Sequence, residues 1–139
     1  MKAQLVRLQG ITFVVKGDSN HWIPIDGSEK FGGSNAGSSP KELILFGLAG
    51  CTSADVVSIL QKRRVNLERY EVNVEAKVAE QHPKAITKMH LSFLFKGKNI
   101  KTKDVERAIE LSRTKYCGVW ATLKDSVEIM YSYEIQDSE

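Results

Sequence analysis

A long apolar helix is the feature that most constrains how this chain can fold. Its predicted start reads Ser39-Pro40-Lys41-Glu42. Ser39 is suited to cap the helix and to share a capping box with Glu42, while Pro40 fits the first helical position. Over residues 43–60, apolar side chains lie on nearly every side of the predicted helix. A helix of this kind belongs in the centre of a fold or of a dimer.

Two glycines interrupt the apolar run, Gly47 and Gly50. Each disfavours a helix by about 1 kcal/mol relative to alanine. Their presence predicts that another backbone approaches the helix closely just before Cys51.

Length and composition narrow the class of protein. A chain of 139 residues is long enough for one compact domain, so we predict a single domain over residues 1–139. The chain shows neither a secretory segment nor an uninterrupted membrane span, which predicts a cytoplasmic protein without a membrane partner. The net charge is only +3. The short basic run at residues 61–64 fits the negative end of the helix dipole, and no nucleic-acid partner is predicted.

The remaining segments predict an α+β fold. Strands are predicted at residues 4–8, 11–16, 21–25, 70–78, 86–95 and 127–135, and residues 79–84 are predicted to join two of them as a hairpin. Shorter helices are predicted from residue 102 and over 119–124. The first of them has one stripe of side chains, which consists of Val105, Ala108, Ile109, Ser112 and Tyr116. A glycine- and serine-rich loop at residues 27–39 is expected to be mobile or functional. Strands grouped around helices favour helices packed on one face of a mostly antiparallel sheet.

Two cysteines are the candidate reactive groups, Cys51 and Cys117. Cys51 lies inside the apolar helix, where burial disfavours a thiolate, and Asp55 four residues later opposes ionisation further. Cys117 is predicted to open the short helix near Lys115, a setting that favours a thiolate. They are either a thiol pair or two unrelated buried side chains. No histidine has ligand spacing to either cysteine, so neither a metal site nor a cofactor is predicted.

With these motifs the sequence resembles the OsmC/Ohr family, named after osmotically inducible protein C and the organic hydroperoxide resistance protein. The matching features are the Ser-Pro-Lys-Glu-Leu-Ile-Leu helix start at Ser39, Ala49-Gly-Cys51 within the helix and Tyr116-Cys117 after the second helix. The resemblance covers essentially the whole chain. It implies an intertwined homodimer, with the long central helices packed together beneath wrapped sheets.

The resemblance also implies a thiol-dependent peroxidase that reduces organic hydroperoxides in oxidative-stress defence. Cys51 would attack the peroxide and become a sulfenic acid. Cys117 would condense with it into a disulfide, which an external dithiol would reduce. The alternative is a non-enzymatic dimer that binds a small apolar ligand or senses oxidation.

The sequence departs from the active enzymes at two positions. Those enzymes use an arginine in the loop before the central helix and a glutamate directly after its proline. Here Lys30 stands at about the place of the arginine, and Lys41 directly follows the proline. Glu42 is displaced by one residue, roughly 100° around the helix. Lys30 and Lys41 are therefore the candidate thiolate-stabilising residues, in an OsmC-like subgroup without the usual arginine and glutamate.

Overall fold

The computed structural model describes all residues from Met1 to Glu139, and they divide into two compact units, Met1–Ile44 and Leu45–Glu139. The first unit contains a three-stranded antiparallel sheet in the order β1-β2-β3. Its strands are β1 (Ala3–Gln9), β2 (Thr12–Gly17) and β3 (Ile23–Ile25). All three occur where the sequence pattern predicts them. The single domain over residues 1–139 stays a prediction.

Asp26 organises the glycine-rich loop that follows β3. Its carboxylate is buried and accepts a hydrogen bond from the Thr12 hydroxyl at 2.8 Å. The backbone N–H groups of Gly27, Ser34 and Ala36 donate to the same carboxylate at 2.7, 3.1 and 3.1 Å. Burial opposes ionisation, but these hydrogen bonds lower the pKa of Asp26 below its usual value. The loop is thus built around one carboxylate.

Helix α1 spans Pro40–Lys62. The predicted capping box is present, with the Ser39 N–H donating to Glu42 Oε2 at 2.7 Å and the Glu42 N–H donating to Ser39 Oγ at 3.4 Å. At the other end Arg64 adopts a left-handed conformation, with φ of 58°. The following N–H, from Val65, donates to the Leu60 carbonyl at 3.0 Å and closes the helix.

Only one narrow stripe of α1 is buried, consisting of Leu48, Thr52, Val56 and Leu60. A Cβ added at Gly47 or Gly50 would meet nothing within 4 Å, so the predicted close approach of a backbone is wrong within the single chain. The most apolar window of α1 has a mean hydropathy of 1.9, enough by length and composition to cross a membrane. Core helices of soluble proteins reach the same values.

The second unit contains a three-stranded sheet in the order β4-β5-β6. Its strands are β4 (Asn66–Val78), β5 (Ile86–Lys98) and β6 (Glu128–Asp137). The first two pair antiparallel as the predicted hairpin, whereas β6 pairs parallel with β5. A parallel neighbour requires a long crossover connection. That connection contains α2 (Thr102–Leu111), a π-helical segment (Ser112–Tyr116) and α3 (Gly118–Leu123).

The core of the second unit lies between its sheet and its helices. As the alternation in β5 predicts, one face of that strand is buried. Its buried members are Met89, Leu91, Phe93 and Phe95. The predicted stripe of α2 is also buried at Val105, Ala108 and Ile109. Three of the four strand pairings are antiparallel, and the α+β prediction is confirmed.

Tyr116 departs from the predicted stripe. The sequence places it on the buried face one helical turn after Ser112, yet its side chain is exposed. The π-helical segment explains the difference, because its wider turn rotates the following residues relative to a regular α-helix. Ser112 remains fully buried. The same segment delivers the chain to Cys117.

Candidate functional site

Helix α1 positions Cys51, one of the two predicted site residues. Cys51 lies near the middle of the helix and is half-buried. It packs against the core of the second unit. The next residue, Thr52, belongs to the buried stripe, so Cys51 lies at the edge of that stripe and not at its centre. The sulfur is therefore held by a rigid element while part of the side chain stays accessible.

Cys117 is positioned by the start of α3, as predicted, and only 2% of it is exposed. Its N–H donates to the Ser112 carbonyl at 2.8 Å. Its sulfur accepts a hydrogen bond from the Trp120 N–H at 3.3 Å and therefore caps the helix. The hydroxyl of Thr52 lies 3.6 Å from the same sulfur.

The fold brings the two cysteines together. Cys51 Sγ, Cys117 Sγ and a carboxylate oxygen of Asp55 all lie within 4.8 Å of one another, and both cysteines are free thiols. The two cysteines are therefore neighbours in the fold, and their action as a thiol pair stays a prediction. Their assignment as peroxidatic and resolving residues stays a prediction.

Burial changes the expected ionisation of Cys117. The sequence favours a thiolate there, because of the helix start and nearby Lys115. In the structure, burial and then the hydrogen bond shared with Cys51 raise the pKa of the Cys117 thiol. The contacts from Trp120 and Thr52 lower it, but by less. Lys115 lies over the Tyr116 ring, 5.3 Å from its centroid. The expectation of a readily formed thiolate at Cys117 is wrong because desolvation outweighs the favourable groups.

Asp55 and Ser112 belong to the site, although the sequence does not predict them as site residues. The Ser112 hydroxyl donates to Asp55 Oδ2 at 2.9 Å and so orients the carboxylate beside the two sulfurs. Asp55 was identifiable as a neighbour of Cys51 on one helix face. Ser112 gave no signal except its place on the buried stripe of α2, because its partner is 57 residues away.

Asp55 also lines a surface cavity of about 360 Å³. The other lining residues are Ser58, Ile59, Lys62, Arg63, Leu111 and Tyr116. This volume is at the lower end of the range for small-molecule sites. The cavity gives solvent and small solutes a path to the carboxylate that lies within 4.8 Å of both sulfurs.

The two candidate cations lie in the unit Met1–Ile44. Lys30 belongs to a 3-10 turn (Glu29–Phe31), with its ammonium 5.7 Å from the centroid of the Phe31 ring. Lys41 is exposed in the first turn of α1. Neighbouring Glu42 is engaged by Ser39 in the capping box, whose hydrogen bonds lower the pKa of Glu42. The thiolate-stabilising role of the two lysines stays a prediction.

Comparisons with known proteins agree with the sequence resemblance. The OsmC-like protein family model matches residues 32–132. Protein YhfA of Escherichia coli K12 is 36% identical over 135 residues, which cover 97% of this chain and 98% of YhfA. A hypothetical protein from Aquifex aeolicus VF5 has 28% identity and a TM-score of 0.87, with 99% of this chain and 97% of that one covered.

More distant solved structures share the fold. One is an organic hydroperoxide resistance protein OsmC from Legionella pneumophila, at 15% identity and a TM-score of 0.71. The match covers 96% of this chain and 95% of the Legionella chain. The OsmC-like fold predicted from the resemblance is confirmed.

Proposed function

The chain belongs to the OsmC-like protein family, and from this premise we propose that it is a thiol-dependent peroxidase that reduces organic hydroperoxides. One observation carries the proposal: the sulfurs of Cys51 and Cys117 lie within 4.8 Å of each other on two different elements of the fold. The Legionella protein of the same fold, described as an organic hydroperoxide resistance protein and a predicted redox protein, supports a role in peroxide stress.

The proposed reaction has three steps. The Cys51 thiolate attacks a peroxide oxygen, an S–O bond forms while the O–O bond breaks, and the organic alcohol leaves after taking up a proton. Cys51 is thereby oxidised to a sulfenic acid. Cys117 then attacks the Cys51 sulfur, which forms the disulfide and releases water. An external dithiol, oxidised in turn to its own disulfide, returns both cysteines to thiols.

Accessibility supports this division of roles. Cys51 is half-buried, whereas only 2% of Cys117 is exposed. A peroxide entering from solvent therefore reaches the Cys51 sulfur more easily. The buried sulfur beside it is placed to receive the sulfenic acid, and its contacts with Thr52 and Trp120 hold it there.

Lys30 and Lys41 are proposed to supply the positive charge that favours the reactive thiolate. Glu42 takes part in the capping box of α1, so we do not assign it the role of the glutamate that follows the proline in the active enzymes. Replacing Lys30 or Lys41 by methionine should slow peroxide oxidation of Cys51 by about tenfold, the effect of losing about 1.4 kcal/mol. Lys98→Met is the control, on the strand β5. Equal rates in all three variants would remove both lysines from the mechanism.

We also propose a cytoplasmic homodimer. Only one stripe of the apolar helix α1 is buried, Phe46 is 52% exposed, and the surface at Gly47 and Gly50 has no neighbour within 4 Å. A second copy of the chain packed on this surface would bury the apolar side chains that the sequence places on nearly every side of the helix. Light scattering should therefore give twice the chain mass for the wild type. Phe46→Glu should give a monomer, and Gln61→Glu at the polar end of the helix should leave the dimer intact.

The peroxidase proposal is tested by the consumption of an organic hydroperoxide in the presence of a dithiol. Cys51→Ser should abolish turnover. Cys117→Ser should still react once and retain a sulfenic acid that a dimedone-type reagent labels. Circular dichroism checks that both variants fold. Unchanged turnover in Cys51→Ser would refute the mechanism, as would wild-type turnover that never passes through a disulfide.

A second candidate function is a non-enzymatic dimer that senses oxidation or binds a small apolar ligand. The observation in its favour is the Asp55 carboxylate within 4.8 Å of both sulfurs, because a negative charge there disfavours a reactive thiolate. The second-order rate of Cys51 oxidation separates the two functions. A rate no faster than that of free cysteine supports the sensor or binder, whereas a much faster rate supports the peroxidase.

A further inference from the structure

We propose that Cys51, Asp55 and Cys117 form a binding site for a thiophilic divalent cation, with Zn²⁺ as the best-suited ion. Each residue offers one ligand atom, and the three atoms lie within 4.8 Å of one another. This inference goes beyond the peroxidase proposal, because it requires coordination by the two sulfurs and no reaction with a peroxide.

The positions of the three residues suit a tetrahedral ion. In a zinc site with Zn–S bonds of about 2.3 Å and Zn–O bonds of about 2.0 Å, ligand atoms are about 3.5–3.8 Å apart. The ligand atoms, which are at most 4.8 Å apart, must therefore approach one another by at most about 1.3 Å, which side-chain rotation provides. Cys51 and Asp55 are four residues apart on one face of α1, and Cys117 faces them from the start of α3.

The surroundings of the three ligands are those of a built site. Ser112 is fully buried, and its hydroxyl fixes Asp55 Oδ2 at 2.9 Å. Outer hydrogen bonds of this kind orient metal ligands and tune the affinity. The Trp120 N–H, 3.3 Å from the Cys117 sulfur, compensates negative charge on that ligand. The three groups bring up to three negative charges to one ion, each thiol releasing its proton to solvent on coordination.

The donor set selects the class of metal. Two thiolates favour Zn²⁺ and softer ions over Mg²⁺ and Ca²⁺, which require more oxygen ligands. Three protein ligands leave a fourth position for water. Asp55 lines the cavity of about 360 Å³, which gives the ion and this water a route from solvent. The sequence predicts no metal site, because two cysteines without a correctly spaced histidine offer too few ligands. The fold supplies the third ligand.

Coordination and disulfide formation use the same two sulfurs, so they exclude each other. A bound ion would therefore keep the pair reduced, and oxidation would release the ion. This exclusion gives a readout that needs no substitution. In reduced wild type, Zn²⁺ should protect both cysteines from alkylation, as measured by mass spectrometry, and a chelator should restore labelling. Full labelling of either cysteine in the presence of saturating Zn²⁺ would overturn the site.

Affinity and geometry are tested with the reduced full-length protein. Competition with a chromophoric chelator should give one Zn²⁺ per chain, and Co²⁺ should show thiolate charge-transfer absorption with four-coordinate d–d bands. Asp55→Asn should weaken Zn²⁺ binding more than about 100-fold. Ser112→Ala should weaken it about 10–100-fold, as expected for an outer-shell partner. Asp125→Asn removes the same charge from an exposed position and should bind like the wild type.

Three results would contradict the proposal. They are equal affinity in Asp55→Asn and wild type, a stoichiometry of one Zn²⁺ per two chains, and a Co²⁺ spectrum without thiolate bands. Peroxide turnover is measured on the same samples after metal removal. A protein that turns over peroxide but binds no Zn²⁺ would contradict the metal site alone. A protein that binds Zn²⁺ but does not turn over peroxide would contradict the proposed peroxidase function alone.

Discussion

Oxidation of the thiol pair should stabilise the protein, and the size of the effect follows from the position of the two cysteines. The loop from Cys51 to Cys117 contains 67 residues, counting both cysteines. Closing a loop of this length in the unfolded chain is worth about 4 kcal/mol at 25 °C in the chain-entropy model. The thiol contacts of Thr52 and Trp120, each worth about 0.5–1.5 kcal/mol, are weakened when the sulfurs move together.

The expected net stabilisation is therefore about 2–4 kcal/mol, or a rise in Tm of about 6–15 °C for a chain of this size. Urea unfolding of the oxidised and reduced forms at one fixed protein concentration measures it, because association would otherwise change the apparent stability. Cys117→Ser, treated with the same oxidant, should gain nothing. Two results would refute the reasoning: a disulfide between Cys51 and Cys117 that lowers stability, or oxidation that joins only different chains.

Three further predictions concern groups that support the two units of the fold, each within its own unit. Burial raises the pKa of Tyr70 to about 12. The free energy of unfolding should therefore fall as the pH rises from 10, where the unfolded chain ionises, to 12. Urea unfolding at several pH values measures this loss, and Tyr70→Phe should reduce it by about 2–3 kcal/mol. Because hydrogen bonds lower the pKa of Asp26, the free energy of unfolding should fall as the pH drops below about 4. Asp26→Asn should make this loss of stability in acid smaller. At neutral pH the same variant should speed amide hydrogen exchange at Ser34 and Ala36, whose N–H groups donate to the carboxylate. Phe95→Ala, at a fully buried position, should cost about 3–5 kcal/mol in the same unfolding assay.

Features that depend on neighbouring residues were predictable. The capping box of Ser39 and Glu42 involves residues three positions apart and forms as expected. The alternation in β5 likewise identifies its buried face, because successive side chains of a strand point to opposite faces of the sheet. The resemblance to the OsmC/Ohr family rested on such local motifs and was confirmed by a relative that covers 97% of the chain.

Features that depend on the path of the chain between elements were not predictable. The long crossover lets β6 pair parallel with β5, although its own alternation fits either direction. The π-helical segment exposes Tyr116 where a regular α-helix would bury it. The prediction of a readily formed thiolate at Cys117 was also wrong, because burial cannot be read from the local helix start.

The sequence by itself determined the elements, the long apolar helix and the two thiols, because hydrophobic periodicity and capping act over a few residues. Only the tertiary structure decided that Cys51 and Cys117 meet and that Asp55, held by Ser112, lies beside them. These groups come from elements far apart in the chain. Their meeting depends on how α1 and the crossover pack against one sheet, and that packing is a property of the whole core.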